Sequence, residues 1–278
     1  MGIYGQDWAS YQSATPDTTG LSFAFIKVSQ GTTYTNPEWA AQRDHARAAG
    51  LVVGYYHYPD MANSAQTEAD YFLSLVRPQQ GELLCLDWEG YDATNRSVAP
   101  SAQAGYKDAW LRYVKGRMPN SPVGLYCNLD YWRNIDTTGF FQDFLWIATA
   151  GAPAGQPGIT ADWLFHQYDD TGDADKDYCH LDSTAQLHSW AQSFAPVAGA
   201  PAWPGEYFRL QNPLLHDGNV RLWQQQMADR GWSIGVDGWY GEQSVSICRQ
   251  FQQEKGLQVD GIVGPQTWST AWTAPVTA

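Results

Sequence analysis

Eight short apolar runs punctuate the first 182 residues, and their spacing dictates the class of fold. They lie at 3–8 (IYGQDW), 22–29 (SFAFIKVS), 51–58 (LVVGYYHY), 83–89 (LLCLDWE), 122–128 (PVGLYCN), 144–150 (FLWIATA), 163–169 (WLFHQYD) and 176–182 (KDYCHLD). Helical patterns separate the early runs, at 36–50, 65–76 and 101–118. The first of these opens on Asn36-Pro37 and stops at Gly50, a start and a stop signal. Near-continuous apolar strands alternating with helices predict a parallel, barrel-like sheet. A complete eightfold α/β barrel takes about 250 residues. Fewer are available here, and the gaps after residue 128 are short and irregular. The expected fold is therefore α/β, a trimmed TIM-like barrel of eight strands and about five helices.

Patterned sequence gives way to Pro, Gly and Ala at 194–205 (FAPVAGAPAWPG), which reads as a linker between a barrel at 1–193 and a smaller domain at 206–278. In the smaller part, Val236-Asp237-Gly238-Trp239-Tyr240-Gly241 recurs 23 positions later as Val259-Asp260-Gly261-Ile262-Val263-Gly264. Each Asp-Gly is a turn signal. Val220, Trp223 and Met227 share one helical face, as do Val245, Cys248 and Phe251, so a small three-helix domain is expected.

The net charge of −13 makes nucleic acid a poor partner, because phosphate binding needs clustered Lys and Arg. The charge is lopsided: the first 205 residues carry 22 acidic and 11 basic side chains, the remainder 7 and 5. No run is long and apolar enough to span a membrane, and the start, MGIYGQDW, shows no signal peptide. Cys85, Cys127, Cys179 and Cys248 are scattered without a C-x-x-C, so buried free thiols and synthesis in a reducing cytoplasm are expected. The 14 Trp and 16 Tyr exceed what a core ordinarily needs, and flat amphipathic rings suit stacking on sugars.

Chemistry concentrates in Asp87-Trp88-Glu89 at the end of the fourth run. Residues two apart on a strand face one side, roughly 6.6 Å apart between alpha carbons. Both carboxyls then point into the C-terminal mouth, where parallel barrels carry their active sites. Glycoside cleavage uses such a pair, one neutral acid for the leaving oxygen and one anion for the oxocarbenium-like transition state. Asp7 ends the first run and Asp177 starts the last, and a closed barrel makes those strands neighbours. Asp169, Asp170, Asp173 and Asp175 crowd the same loop, an arrangement that also suits a solvated turn or a calcium site, although D-x-[DN]-x-[DN]-G is absent.

These pieces, in order, resemble the family-25 glycoside hydrolases, the Chalaropsis-type lysozymes common in bacteriophage endolysins. The matching segments are Gly5-Gln6-Asp7 with Gln12, Phe25-Ile26-Lys27-Val28-Ser29 with Gly31, Gly54-Tyr55-Tyr56-His57-Tyr58, Leu86-Asp87-Trp88-Glu89, Leu125-Tyr126-Cys127-Asn128, Trp146-Ile147-Ala148, Gln167-Tyr168 and Asp177. The last part resembles the peptidoglycan-binding type 1 domain through Trp223-Gln224, Asp237-Gly238, Gly241, Phe251-Gln252, Asp260-Gly261, Gly264 and Thr267.

The resemblance implies hydrolysis of the β-1,4 bond between N-acetylmuramic acid and N-acetylglucosamine, with peptidoglycan as partner and no cofactor or metal. Glu89 becomes the general acid, Asp87 the residue that stabilises the cation or orients the acetamido group, and Asp7 and Asp177 complete a carboxylate ring. Tyr56, Tyr126, Trp146, Tyr168, Lys27 and Gln167 become substrate-binding residues, and His57 a structural histidine. Whether a carboxylate or the acetamido oxygen attacks is left open. Three positions depart from the family pattern, Ala9, Ala150 and His166, and all are expected to alter the cleft walls. A monomer is expected, made in the cytoplasm and acting on the wall after release. The alternative is an inactive wall-binding protein with a degenerate barrel.

Overall fold

The structure, a computed structural model, describes residues 2–195 and 200–276. Part of the expected linker, residues 196–199, lies outside the described residues. The chain divides after Gln192 into two compact units.

The first unit runs β1 (Ile3–Trp8), β2 (Phe23–Gln30), β3 (Tyr34–Thr35), α1 (Trp39–Ala48), β4 (Val52–Tyr58), α2 (Ala65–Leu75) and β5 (Leu83–Asp87). It continues through α3 (Ala93–Ser97), α4 (Pro100–Arg117), β6 (Val123–Asn128), a π-helical turn (Tyr131–Ile135), β7 (Phe144–Ala148), β8 (Phe165–Asp169), β9 (Asp175–Cys179) and α5 (Thr184–Gln192). The sheet order is β1-β9-β8-β7-β6-β5-β4-β2, and pairing of β1 with β2 closes an eight-stranded barrel. β3 is a two-residue hairpin partner of β2, outside the closed ring.

One expectation needs correction: the barrel is not parallel throughout. β9 runs antiparallel to both β8 and β1. Only residues 170–174 join β8 to β9, too few for the crossover that a parallel pair requires. The chain therefore turns straight back, and the start of β9 lies at the mouth of the barrel. α1 also begins later than the sequence pattern suggests. Asn36 Oδ1 accepts the Glu38 N–H at 3.0 Å, and its Nδ2 donates to the Lys27 carbonyl at 2.8 Å, so Asn36 forms a turn outside the helix.

Side chains alternate across the wall with period two. Phe23, Phe25, Tyr56, Cys85, Tyr126, Phe144, Trp146 and Phe165 fill the barrel interior. Ala24, Ile26, Val28, Leu84, Leu86, Leu125 and Ile147 pack outward with Phe72, Trp110, Leu111 and Val114 of α2 and α4. Glycine makes room for the interior rings: a Cβ at Gly54 would stand 2.2 Å from the Phe25 ring, and one at Gly124 would stand 2.4 Å from Phe144. Phe25 in turn stacks on Trp146 with centroids 4.1 Å apart.

His57 points away from the mouth. Its Nδ1 pairs with Ser29 Oγ and its Nε2 with Glu68 Oε2, both at 2.9 Å, and its ring stacks on Trp110. Burial lowers its pKa, opposed by Glu68, and Glu68 also accepts the Tyr106 hydroxyl at 2.7 Å. This is a satisfied structural network.

In the second unit α6 (Gly218–Asp229), α7 (Glu242–Glu254) and α8 (Pro265–Thr273) enclose Val220, Trp223, Met227, Val245, Cys248, Phe251 and Trp268. The internal repeat is structural. Gln224 donates to Asp237 Oδ1 and the Trp239 carbonyl, both at 3.0 Å, and accepts the Gly238 N–H at 2.7 Å. Gln252 does the same for the second turn, donating to Asp260 Oδ1 at 2.7 Å and the Ile262 carbonyl at 3.0 Å while accepting the Gly261 N–H at 2.9 Å. Each helix thus clamps the Asp-Gly turn that follows it. All four cysteines are free and buried. Among the described residues no helix is long and apolar enough to cross a membrane.

Candidate active site

A cavity of about 250 Å³ opens at the C-terminal ends of the parallel strands. Asp7, Asp87, Glu89 and Asp175 line it, with Lys27, Tyr56, Tyr126, Trp146 and Gln167. β5 ends at Asp87, but the ladder continues one step, since the Trp88 N–H reaches the Tyr126 carbonyl at 2.8 Å. That extension holds Trp88 in the core behind the cavity and brings Asp87 and Glu89 to the same mouth. Both carboxylates are buried, each 8% exposed, so the charged form of either lacks most of its hydration.

Hydrogen bonds fix the floor. The Tyr126 hydroxyl donates to Gln167 Oε1 at 2.9 Å, which orients the amide so that Nε2 donates to Asp7 Oδ2 at 2.8 Å and to Asp175 Oδ2 at 3.2 Å. Asp177 lies fully buried below this layer and accepts the Trp146 indole N–H at 2.7 Å. The antiparallel course of β9 makes this possible: Asp175 registers with Asp7 and Asp177 with Gly5, both near the mouth. At Glu89, Oε2 accepts from Asn128 Nδ2 at 3.3 Å, and Asn128 Oδ1 is held by the Tyr131 N–H at 2.9 Å.

The electrostatics separate the two acids at the end of β5. Burial first, then repulsion from Asp87, holds the Glu89 carboxyl well above its ordinary range. Burial also raises Asp87, to about 7, but the Lys27 ammonium opposes that rise. Lys27 is itself lowered by burial and held up by Asp87 and Glu89. Burial and the Asp175 charge push Asp7 up to about 8, and burial with Asp7 pushes Asp177 up. The mouth therefore pairs a carboxyl whose neutral form is favoured, Glu89, with one whose negative form is stabilised by a cation, Asp87. That division suits general acid catalysis next to a developing positive charge.

Two expected cleft residues are not in the cleft. Gln167 faces the cavity, so its neighbours on β8, His166 and Tyr168, face outward by strand alternation. Tyr168 packs edge-on to Tyr4, at 6.4 Å between centroids, and His166 accepts the Gly155 N–H at 3.1 Å. The departure at His166 thus leaves the cavity untouched, whereas Ala9 lines it. Asp177 supports the site from below and does not line it.

The cavity also gathers residues not singled out as site residues. Tyr58 lies beneath Lys27 Nζ, 4.9 Å from ring centroid to nitrogen, and donates its hydroxyl to Asp92 Oδ2 at 2.7 Å. Its signal was available, two positions after Tyr56 on the same strand. Asp175, two before Asp177, was hidden within the acidic run, while Asp169 is engaged by Lys176 at 2.7 Å. A second groove of about 700 Å³ includes Tyr91, Asn128, Tyr131 and Ala150, so it adjoins Glu89 through Asn128.

Comparison with known proteins agrees with this geometry. Residues 4–177 match the family model described as glycosyl hydrolases family 25, and residues 216–270 match one described as a peptidoglycan binding domain. The autolytic lysozyme of Clostridium acetobutylicum is 28% identical over 258 residues, which cover 91% of this chain and 72% of that protein. Lysozyme M1 of Streptomyces globisporus is 28% identical over 193 residues, 60% of this chain and 58% of its own length. The crystal structure of the bacterial lysozyme from Streptomyces coelicolor superposes with a TM-score of 0.57 at 22% identity, covering 70% of this chain and 99% of that one.

Proposed function

The chain belongs to glycosyl hydrolases family 25, and on that premise we propose that it is a muramidase of the endolysin type. It cleaves the β-1,4 bond between N-acetylmuramic acid and N-acetylglucosamine in bacterial peptidoglycan. The observation that carries this reading is the unequal pair at the end of β5, Glu89 against the Asn128 amide and Asp87 under the influence of Lys27, both in one cavity.

As the bond from C1 to the bridging oxygen breaks, the Glu89 carboxyl gives its proton to that oxygen and the sugar leaves as an alcohol. Asp87 faces the positive charge that develops at C1 and stabilises it. Glu89, now a carboxylate, takes a proton from the water that completes hydrolysis, which restores the starting state. Asp7, Gln167 and Tyr126 hold the floor rigid, so little reorganisation accompanies the charge change. The groove beyond Asn128 receives the polymer on the leaving-group side.

The C-terminal unit serves as the wall-targeting module. It raises the local concentration of an acidic barrel on an anionic surface that would otherwise repel it. The protein meets its substrate after release from the cytoplasm in which it is made, and its action is bacteriolytic.

Digestion of purified walls, borohydride reduction and mass spectrometry of the products test the reaction. Reduced muramic acid ends are expected. Reduced glucosamine ends would identify a glucosaminidase instead.

A further inference from the structure

We propose that Trp239, on the first Asp-Gly turn of the C-terminal unit, is the stacking platform that binds the N-acetylhexosamine strand of the wall. The proposal rests on the targeting reading above and names the residue and the chemical component it recognises.

The internal repeat supplies its own control. At the equivalent position the second turn carries Ile262. Both main chains make the same bonds: the Trp239 N–H donates to Asp237 Oδ1 at 2.9 Å and the Ile262 N–H to Asp260 Oδ1 at 2.8 Å. Both carbonyls accept from the clamping glutamine at 3.0 Å. A half-buried Ile meets every hydrogen bond the turn requires of this position, so the turn itself does not need the indole. Trp239 nevertheless leaves 45% of its surface in water. That surface leaves a large aromatic face available to a ligand.

The ring is also held ready. His216 stacks on it with centroids 4.2 Å apart and planes 25° from parallel, and the two residues form an antiparallel bridge. Gly238 lets the pair assemble: its φ is +82°, and a Cβ there would stand 3.3 Å from the His216 ring. One face of the indole is therefore backed, and its exposed surface is fixed in orientation. A rigid, flat aromatic surface suits the C–H face of a pyranose ring.

The test uses the full chain with Glu89→Gln, so that walls survive the measurement. Sedimentation with purified peptidoglycan, and with glycan strands stripped of stem peptides by an amidase, gives the affinity of this parent and of its Trp239→Ile and Trp239→Phe derivatives. Trp239→Ile installs the residue the second repeat already tolerates, and an unchanged melting curve verifies folding. The expected result is a roughly tenfold weaker affinity for both polymers with Trp239→Ile, largely restored with Trp239→Phe. Equal binding by all three overturns the proposal while leaving the targeting reading intact. A difference that disappears on stripped strands also overturns it, because the ligand is then the peptide. If the parent itself fails to bind walls, the targeting reading fails and the proposal falls with it.

Discussion

Trp146 joins the core to the catalytic floor: its indole N–H donates to Asp177 Oδ1 at 2.7 Å while its ring stacks on Phe25 at 4.1 Å. One side chain thus anchors a buried carboxyl and forms part of the cavity wall. Trp146→Phe keeps much of the stacking and deletes the donor. Denaturant unfolding is expected to show a loss of about 1–3 kcal/mol, the cost of leaving a buried polar group without its partner. An unchanged midpoint would mean that Asp177 does not depend on this bond.

Asp7 and Asp177 make the barrel sensitive to alkali. Burial raises both carboxyls above the ordinary carboxylate range, Asp7 to about 8 with the Asp175 charge adding to the rise, and Asp177 with the Asp7 charge adding to it. A raised folded pKa contributes stability that is complete below the unfolded value and is lost as pH rises through the folded one. The melting temperature is therefore expected to fall as pH rises from about 4 to about 8, and Asp177→Asn should flatten that fall. Parallel curves for the two proteins would refute the coupling.

Lys27 sets the working pH. Its ammonium favours the charged form of Asp87. In Lys27→Met the Asp87 carboxyl titrates higher, so the acid limb of the activity profile should move up. A profile that only loses height would assign Lys27 to substrate contact alone.

Gly54 is a packing requirement. Gly54→Ala places a methyl 2.2 Å from the Phe25 ring, and thermal or denaturant unfolding should record a destabilisation of about 1–3 kcal/mol. Wild-type stability would show that the ring has room to move.

Removal of residues 200–278 should depress the rate on intact walls far more than on short soluble muropeptides. Equal losses on both would contradict the targeting role of the second unit.

Much of this was legible in the sequence because period-two alternation leaves a strong trace. The eight strands and the two helical faces of the second unit follow from spacing alone, and the Asp87–Glu89 pair from spacing together with the family resemblance. The direction of β9 does not, since an apolar run carries no arrow, and only the shortness of 170–174 hinted at a reversal. Tyr168 was misplaced for a related reason: Gln167-Tyr168 reads as one motif, yet neighbours on a strand face opposite sides. The Tyr126–Gln167–Asp7 chain joins residues 41 and 160 positions apart, and such long-range bonds leave no local pattern. The glutamine clamps were half visible, as a repeat whose purpose appears only when Gln224 and Gln252 are seen gripping their turns.

The central claim is that Glu89 supplies the proton. The most direct measurement compares the rate at which wild type and Glu89→Gln release reducing ends from walls, with equal melting temperatures as the control for folding. The account expects the variant to be slower by at least about 100-fold, the usual worth of a positioned general acid. A Glu89→Gln rate close to that of wild type would contradict it and move the acid to another carboxyl of the cavity.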